Sequence, residues 1–415
     1  MKKLLLILLI PMIGSGQEWI RIYNNINENF PAVSNIQQTF DSNFIVFTGI
    51  GLMKIDINGD TLWNKDYSFL DYLIGYGIQT SDGGFILSNF CSLYKLDNLG
   101  NIEWTKPDST FFGDIRSIEE TNDGGYILQG IIGGFKEKSF NAIEIVRVDS
   151  IGNILWFCRP TENFVIVTGF EERSSGYDLD ITNNGNYISA GSQGLENGFL
   201  AKINQVGDTI WTKKYLFYDA TTITSVVENP FGNFVFTGYV NIEDNDGLLL
   251  YRKLLIAETN TNGDVIWTKI YEGGERAESY NIEITNDGGY IICGSKQLPN
   301  NEDVLWLLKT DSQGDTLWTR TFGNPFGIGF AVKQLPNNGY IITGAAYQNS
   351  YDGSIIVIKT NQNGNVTSTS NIPANTNRKI EKTVDLLGRE TKGTKNKPLL
   401  YLYDDGKVEK RIILE

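Results

Sequence analysis

The stretch "DSQGDTLW", ending at Trp318, has near-copies along the whole chain, and this repetition constrains the fold more than any single residue does. Copies end at Trp63, Trp104, Trp156, Trp211 and Trp267, and a degenerate version, "NQNGNVTS", ends at Ser368. The spacing is about fifty residues, and a fixed period of that size marks an array of identical supersecondary units. Between the copies runs a second phrase, seen as "TNDGGYILQG" from Thr121, "TNDGGYIICG" from Thr285 and weaker forms from Thr39 onward. Its Asn/Asp-Gly centre predicts a strand, a tight turn and a strand.

A third apolar run such as "IVRVD" before Asp149 and a fourth such as "WTKKY" from Trp211 complete each unit. Four short strands per repeat predict an all-β, seven-bladed β-propeller of four-stranded antiparallel blades. In such blades a large flat side chain at one fixed place fills the gap between neighbouring sheets. The seventh repeat has Ser368 where the tryptophan should be, yet the chain opens with "WIRIY" from Trp19. The N-terminal strand is therefore expected to complete the last blade, giving Trp19, Trp63, Trp104, Trp156, Trp211, Trp267 and Trp318 one structural place each. Trp306 is the extra one. No long stretch shows helical periodicity, and a single large repeat domain overrides the division that length alone would suggest.

"MKKLLLILLIPMIGSGQ" has two lysines, an apolar run and small residues at Gly14 and Gly16, the pattern of an export signal over 1–16. No cysteine follows it, which argues against lipid attachment, and no transmembrane segment is expected in the mature chain. The expected divisions are a propeller over 17–369, a Ser/Thr/Asn-rich linker over 370–381 and a small β domain over 382–415. That last segment carries "DLLGRE" from Asp385 and "LLYLYDDGKVEKRI" from Leu399. It resembles the type A C-terminal sorting domain of type IX secretion cargo in Bacteroidota. The residues that carry the resemblance are Asp385, Leu387, Gly388, Arg389, Tyr403, Asp405, Gly406 and Lys410. The resemblance implies passage through the outer membrane by the type IX machinery and a secreted or cell-surface location. Physically the segment should form a hairpin about Asp405-Gly406.

The repeats resemble secreted bacterial propeller repeats marked by "DGGYI" and "GD-x-x-W", which imply no defined activity. Sialidase Asp-boxes and quinoprotein docking repeats differ in spacing. Asp311 stands three before Gly314, and there is no vicinal cysteine pair.

The chain has no histidine, so Ser-His-Asp and Cys-His catalysis and His-ligated zinc are excluded. Cys91, Cys158 and Cys293 have no metal-site spacing, and no cofactor is implied. The Asp/Asn that opens each "DxxGD" turn could hold calcium, but a turn-capping role explains every copy, and no metal is expected there. A net charge of −14, concentrated in the repeats, makes nucleic acid a poor partner.

Successive turns of a meander alternate between the two ends of its strands, so both glycine turns share one face and the variable connections share the other. Binding is expected on those variable loops. The residues singled out are Phe164, Arg173, Tyr177, Asp244, Asp246, Tyr347 and Tyr351. The expected function is a secreted binding or adhesion module for a glycan or protein ligand. The alternative is a carbohydrate-active hydrolase or lyase using paired carboxylates in the channel. No catalytic residue is assigned.

Overall fold

The computed structural model describes residues 18–24, 33–68, 74–89, 92–107, 114–132, 142–160, 174–244, 248–322, 326–349 and 352–366. Beyond these it describes 380–384, 389, 391, 398–403 and 408–412. The chain divides into two compact units, one up to Ser370 and one from Asn371 onward. The first unit holds seven four-stranded antiparallel sheets and forms the expected propeller.

Each of the first six blades is a meander in sequence order, and the first runs Val33–Gln38, Phe44–Thr48, Gly51–Ile55 and Thr61–Asp66. The seventh is composite. Phe326–Gln334, Tyr340–Asn349 and Asp352–Thr360 come from the end of the ring, and Trp19–Asn24 joins them as the outermost strand. Trp19 lies opposite Lys359 and Tyr23 opposite Ile355 in this closing pair.

The second and third strands of each blade are near-continuous buried runs, such as "FIVFT" at Phe44–Thr48 and "AIEIVRV" at Ala142–Val148. They lie inside each sheet with neighbours on both faces, so they show no alternation. The outer strands alternate instead, as in Thr209–Tyr215, because one face packs on the next blade and the other meets water.

Both glycine turns are type I turns followed by a glycine at positive φ, the three-residue hairpin solution rather than a two-residue one. At Thr121 the Gly124 N–H returns to the Thr121 carbonyl, and Gly124 alone takes φ 78°. In the second turn the first residue caps the loop. Asp311 Oδ1 accepts from the Gln313 N–H at 2.9 Å and the Asp315 N–H at 2.8 Å. The same double acceptance recurs at Asp56, Asp97, Asp149, Asn204, Asn260 and Asn361. This oxygen is thereby occupied by the backbone in all seven repeats.

The recurring tryptophan acts on that turn. It stands on the outermost strand, packs against the apolar cluster shared with the next blade and, at every junction but that of Trp63, also lies over the next blade's turn glycine. A Cβ on Gly263 would sit 3.1 Å from the Trp211 ring, and one on Gly314 would sit 2.8 Å from Trp267. The indole N–H of Trp211 donates to the Thr261 carbonyl at 3.1 Å, and that of Trp19 to the Ile57 carbonyl at 2.9 Å. Two residues on, a basic side chain reaches the residue after the glycine, as Lys213 does to Asp264 at 2.9 Å. Two further on, a tyrosine hydroxyl donates to the glycine carbonyl, at 2.8 Å from Tyr215 to Gly263 and 2.6 Å from Tyr23 to Gly59. "W-x-K-x-Y" is thus a clasp between consecutive blades. Trp19 is buried and carries the clasp from the seventh blade to the first.

The second unit is a three-stranded sheet of Ile380–Val384, Pro398–Tyr403 and Val408–Ile412, the last two forming the expected hairpin pair. The first of these strands begins at Ile380, inside the stretch read from sequence as linker.

Candidate functional site

The innermost strand of each blade borders the central channel and has one edge without a strand neighbour, so its N–H groups need partners from elsewhere. Side chains four residues before the hairpin threonine or its equivalent supply them. Ser117 Oγ accepts from the Leu179 N–H at 3.2 Å, and Asp178 Oδ2 from the Val226 N–H at 3.0 Å. Ser225 Oγ accepts from the Ile282 N–H at 3.4 Å, and Asn281 Oδ1 from the Val332 N–H at 3.0 Å. Each blade in this arc therefore holds the inner edge of the next.

Two residues nearer the hairpin come Glu119, Asp180, Glu283 and Lys333, on the inner strands of the third, fourth, sixth and seventh blades. Lys333 Nζ bonds the Glu283 carboxylate. Burial raises the Glu119 carboxyl to about 8, with Asp180 on the neighbouring blade adding to the rise and Lys333 opposing it. Burial also raises Asp180 to about 7, with Asp178 and Glu283 reinforcing it. Asp178 is raised by burial despite hydrogen bonds from Ser225 and two backbone N–H groups. At neutral pH Glu119 and Asp180 therefore keep a proton for much of the time rather than standing fully charged.

Toward the variable-loop end of the channel the lining changes to aromatic and arginine side chains. Arg116 lies 5.2 Å from the Tyr177 ring centre and pairs with Asp114 at 2.8 Å. Arg252 lies 4.5 Å from the Tyr239 ring centre. Glu278 gathers Arg252 at 2.5 Å, Arg276 at 2.8 Å and the Tyr280 hydroxyl at 2.7 Å. These three donors outweigh burial and hold its carboxyl below the usual range. Tyr280 in turn packs edge-on against Phe330 at 5.4 Å. Burial raises the hydroxyls of both Tyr239 and Tyr280 above the usual range. The result is a partly exposed set of rings and guanidinium planes, each fixed by a carboxylate or a neighbouring ring.

Of the residues chosen from sequence, Tyr177 belongs to this mouth. It stands within the strand Ser174–Ile181, not in a loop. Tyr347 also falls in a strand, opposite Phe326 and Gly353, because that hairpin extends to Asn349. Asp244 caps the connection after Phe234–Glu243 by accepting the Leu248 N–H at 2.8 Å. Phe164, Arg173, Asp246 and Tyr351 lie outside the described residues. So do Asp385, Leu387, Gly388, Asp405 and Gly406 of the C-terminal motif. Arg389 is exposed, and Tyr403 and Lys410 fall on paired strands. Arg116, Tyr280 and Phe330 were not singled out, although each stands, like Tyr177, five residues before its hairpin threonine or its equivalent. Reading the repeats in columns gives that signal.

These features define a seven-bladed propeller with an aromatic and basic mouth above an acidic channel. No protein-family profile matches the chain, and no curated protein sequence matches it. Among solved structures, the WD40 domain of Pan2 from Neurospora crassa has a TM-score of 0.52 at 12% identity, over 79% of this chain and 89% of that one. That likeness is one of fold. A protein of unknown function from Bacteroides caccae has a TM-score of 0.43 at 13% identity, over 66% of this chain and 90% of that one.

Proposed function

We propose that this chain is an exported binding protein that takes a glycan or protein ligand at the variable-loop mouth of its channel. The observation that carries the reading is the Tyr177, Tyr239 and Tyr280 set, with Arg116 and Arg252 held against the rings. Rigid aromatic and guanidinium planes give contact area at low cost in side-chain entropy, which suits recognition. The leader-like N-terminus and the resemblance of 382–415 to a type IX sorting domain support secretion or surface display through that machinery.

The test is a panel of soluble polysaccharides and surface proteins against the full chain, recording binding and release of reducing sugar together. Binding without turnover, weakened at least tenfold by Tyr239→Ala, supports the proposal. No binding, or binding indifferent to Tyr239 and Tyr280, sinks it. For export, a chain lacking 382–415 should accumulate in the periplasm of a type IX-competent host while the full chain leaves it.

The raised Glu119 and Asp180 carboxyls favour one second reading, a glycan hydrolase or lyase working in the channel. A general acid must be protonated to act, so its rate should fall as pH rises through about 8, the value for Glu119. Glu119→Gln should then abolish turnover while leaving binding at the mouth intact.

A further inference from the structure

On the face opposite the mouth, the outer rim carries a crevice of about 660 Å³ between the third and fourth blades. A second, of about 490 Å³, lies between the sixth and seventh. Both volumes fall in the ~300–1,000 Å³ range of small-molecule sites. The two are built alike from corresponding positions of the repeat. In the first, Trp156 meets Tyr187 of the next blade with ring centres 5.9 Å apart, and in the second Trp318 meets Tyr340 at 5.8 Å. The leucine before each tryptophan, Leu155 or Leu317, lines the wall and is more than half exposed. Asn122, Asn184 and Gln205 line one crevice and Asn286, Asn338 and Gln362 the other.

The charge of each crevice is already balanced. Buried Arg147 pairs with exposed Asp123, and buried Lys309 pairs with Asp287 at 2.9 Å. Both crevices also fall where the outer strand lacks the clasping tyrosine, having Pro160 or Phe322 in its place. In the first, Cys158 further replaces the clasping lysine, and the Trp156 ring is displaced so that its ring-fusion edge, not its outer edge, lies over the turn glycine.

We infer that these rim crevices are binding sites for neutral pyranose sugars, distinct from the mouth of the channel. An apolar ligand would strip water from the exposed carboxylate of Asp123 or Asp287 and from the exposed Gln205 or Gln362 side chain without replacing it. An anion or cation would find its counter-charge already taken. A neutral polyhydroxyl ring satisfies both halves of the lining, its C–H face against Leu155, Trp156 and Val206 and its hydroxyls toward the amides and Asp123. Repetition of the site around the rim gives more than one sugar contact per chain, and linked contacts multiply on a polymeric glycan.

The full chain should be titrated with the methyl pyranosides of glucose, galactose, mannose and N-acetylglucosamine, followed by tryptophan fluorescence and saturation-transfer NMR. At least one should bind saturably. Leu155→Ala with Gln205→Ala, and the matching Leu317→Ala with Gln362→Ala, should together weaken that binding at least tenfold, while Ile210→Ala, the corresponding exposed position at the clasped junction of the fourth and fifth blades, leaves it unchanged. These positions are exposed, and an unaltered melting temperature confirms that the variants fold. Absence of saturable binding to every sugar, or binding that the rim variants leave intact, overturns the inference. Loss on Tyr239→Ala alone would also overturn it and return the sugar to the mouth.

Discussion

The outer strands of the third and fourth blades carry the same tryptophan but hold their neighbours differently. The fourth uses the full clasp, with Trp211 over Gly263, Lys213 on Asp264 at 2.9 Å and Tyr215 on the Gly263 carbonyl at 2.8 Å. The third reads "WFCRP" from Trp156 and keeps only the indole, which still donates to the Gln205 carbonyl at 3.1 Å. Both junctions form, so the indole can hold a neighbour without the lysine and tyrosine. Lysine and tyrosine reinforce it, and both rim crevices lie at junctions that lack the tyrosine.

The largest effect should come from removing the indole where it is most buried. Trp19→Ala at the ring closure is expected to cost about 3–5 kcal/mol. Trp211→Ala should cost less and Trp156→Ala least, in denaturant unfolding of the full chain. Equal losses at Trp19 and Trp156 would show that burial at the closure is not what matters.

A pair of glycines separates docking from backbone strain. Gly314 and Gly288 have φ of 77° and 80°, but a Cβ on Gly314 would strike Trp267 at 2.8 Å while one on Gly288 meets nothing within 4 Å. Gly288→Ala should cost about 1 kcal/mol, the price of that backbone region alone. Gly314→Ala should cost at least twice as much by thermal or chemical unfolding. Equal costs would mean that the indole yields readily.

Smaller still is the hydroxyl of the clasp. Tyr215→Phe strands the Gly263 carbonyl and should cost about 1 kcal/mol, whereas Tyr187→Phe at the open junction tests no clasp and should cost less. The smallest effect is a gain. Cys158→Lys restores the basic residue opposite Asp208 and should stabilise by at most about 0.5 kcal/mol, since the pair would be exposed. A loss on that change would show that Cys158 fits its place for another reason.

The propeller was legible because its determinants are local and repeated. Glycine turns, apolar runs and tryptophans each mark one strand or corner, and the "WIRIY" phrase from Trp19 pointed to the closure by matching "WTKKY" from Trp211. What the tryptophan touches was not legible, because the contact joins residues some fifty apart in different blades. The inner ring of hydrogen bonds was hidden by chemistry, since Ser117, Asp178, Ser225 and Asn281 do one job with three residue types. The site was only partly legible. Attention to loops found Tyr177 but passed over Arg116, Tyr239 and Glu278, which strands bring together. Carboxylates such as Glu119 and Asp180 gain their character from burial and mutual repulsion, and neither leaves a trace in composition.

The composite seventh blade puts the two ends of the ring in one sheet, with Trp19 to Asn24 paired along Ser354 to Lys359. A pull or a proteolytic cut near either end is therefore felt first by the same sheet. The outermost strand can peel from its neighbour like a zip, one pair of residues at a time, and release Trp19 from Gly59 before any other junction is loaded. The ring thus has a designated seam. A chain drawn through a pore from one end would open there first and close there last.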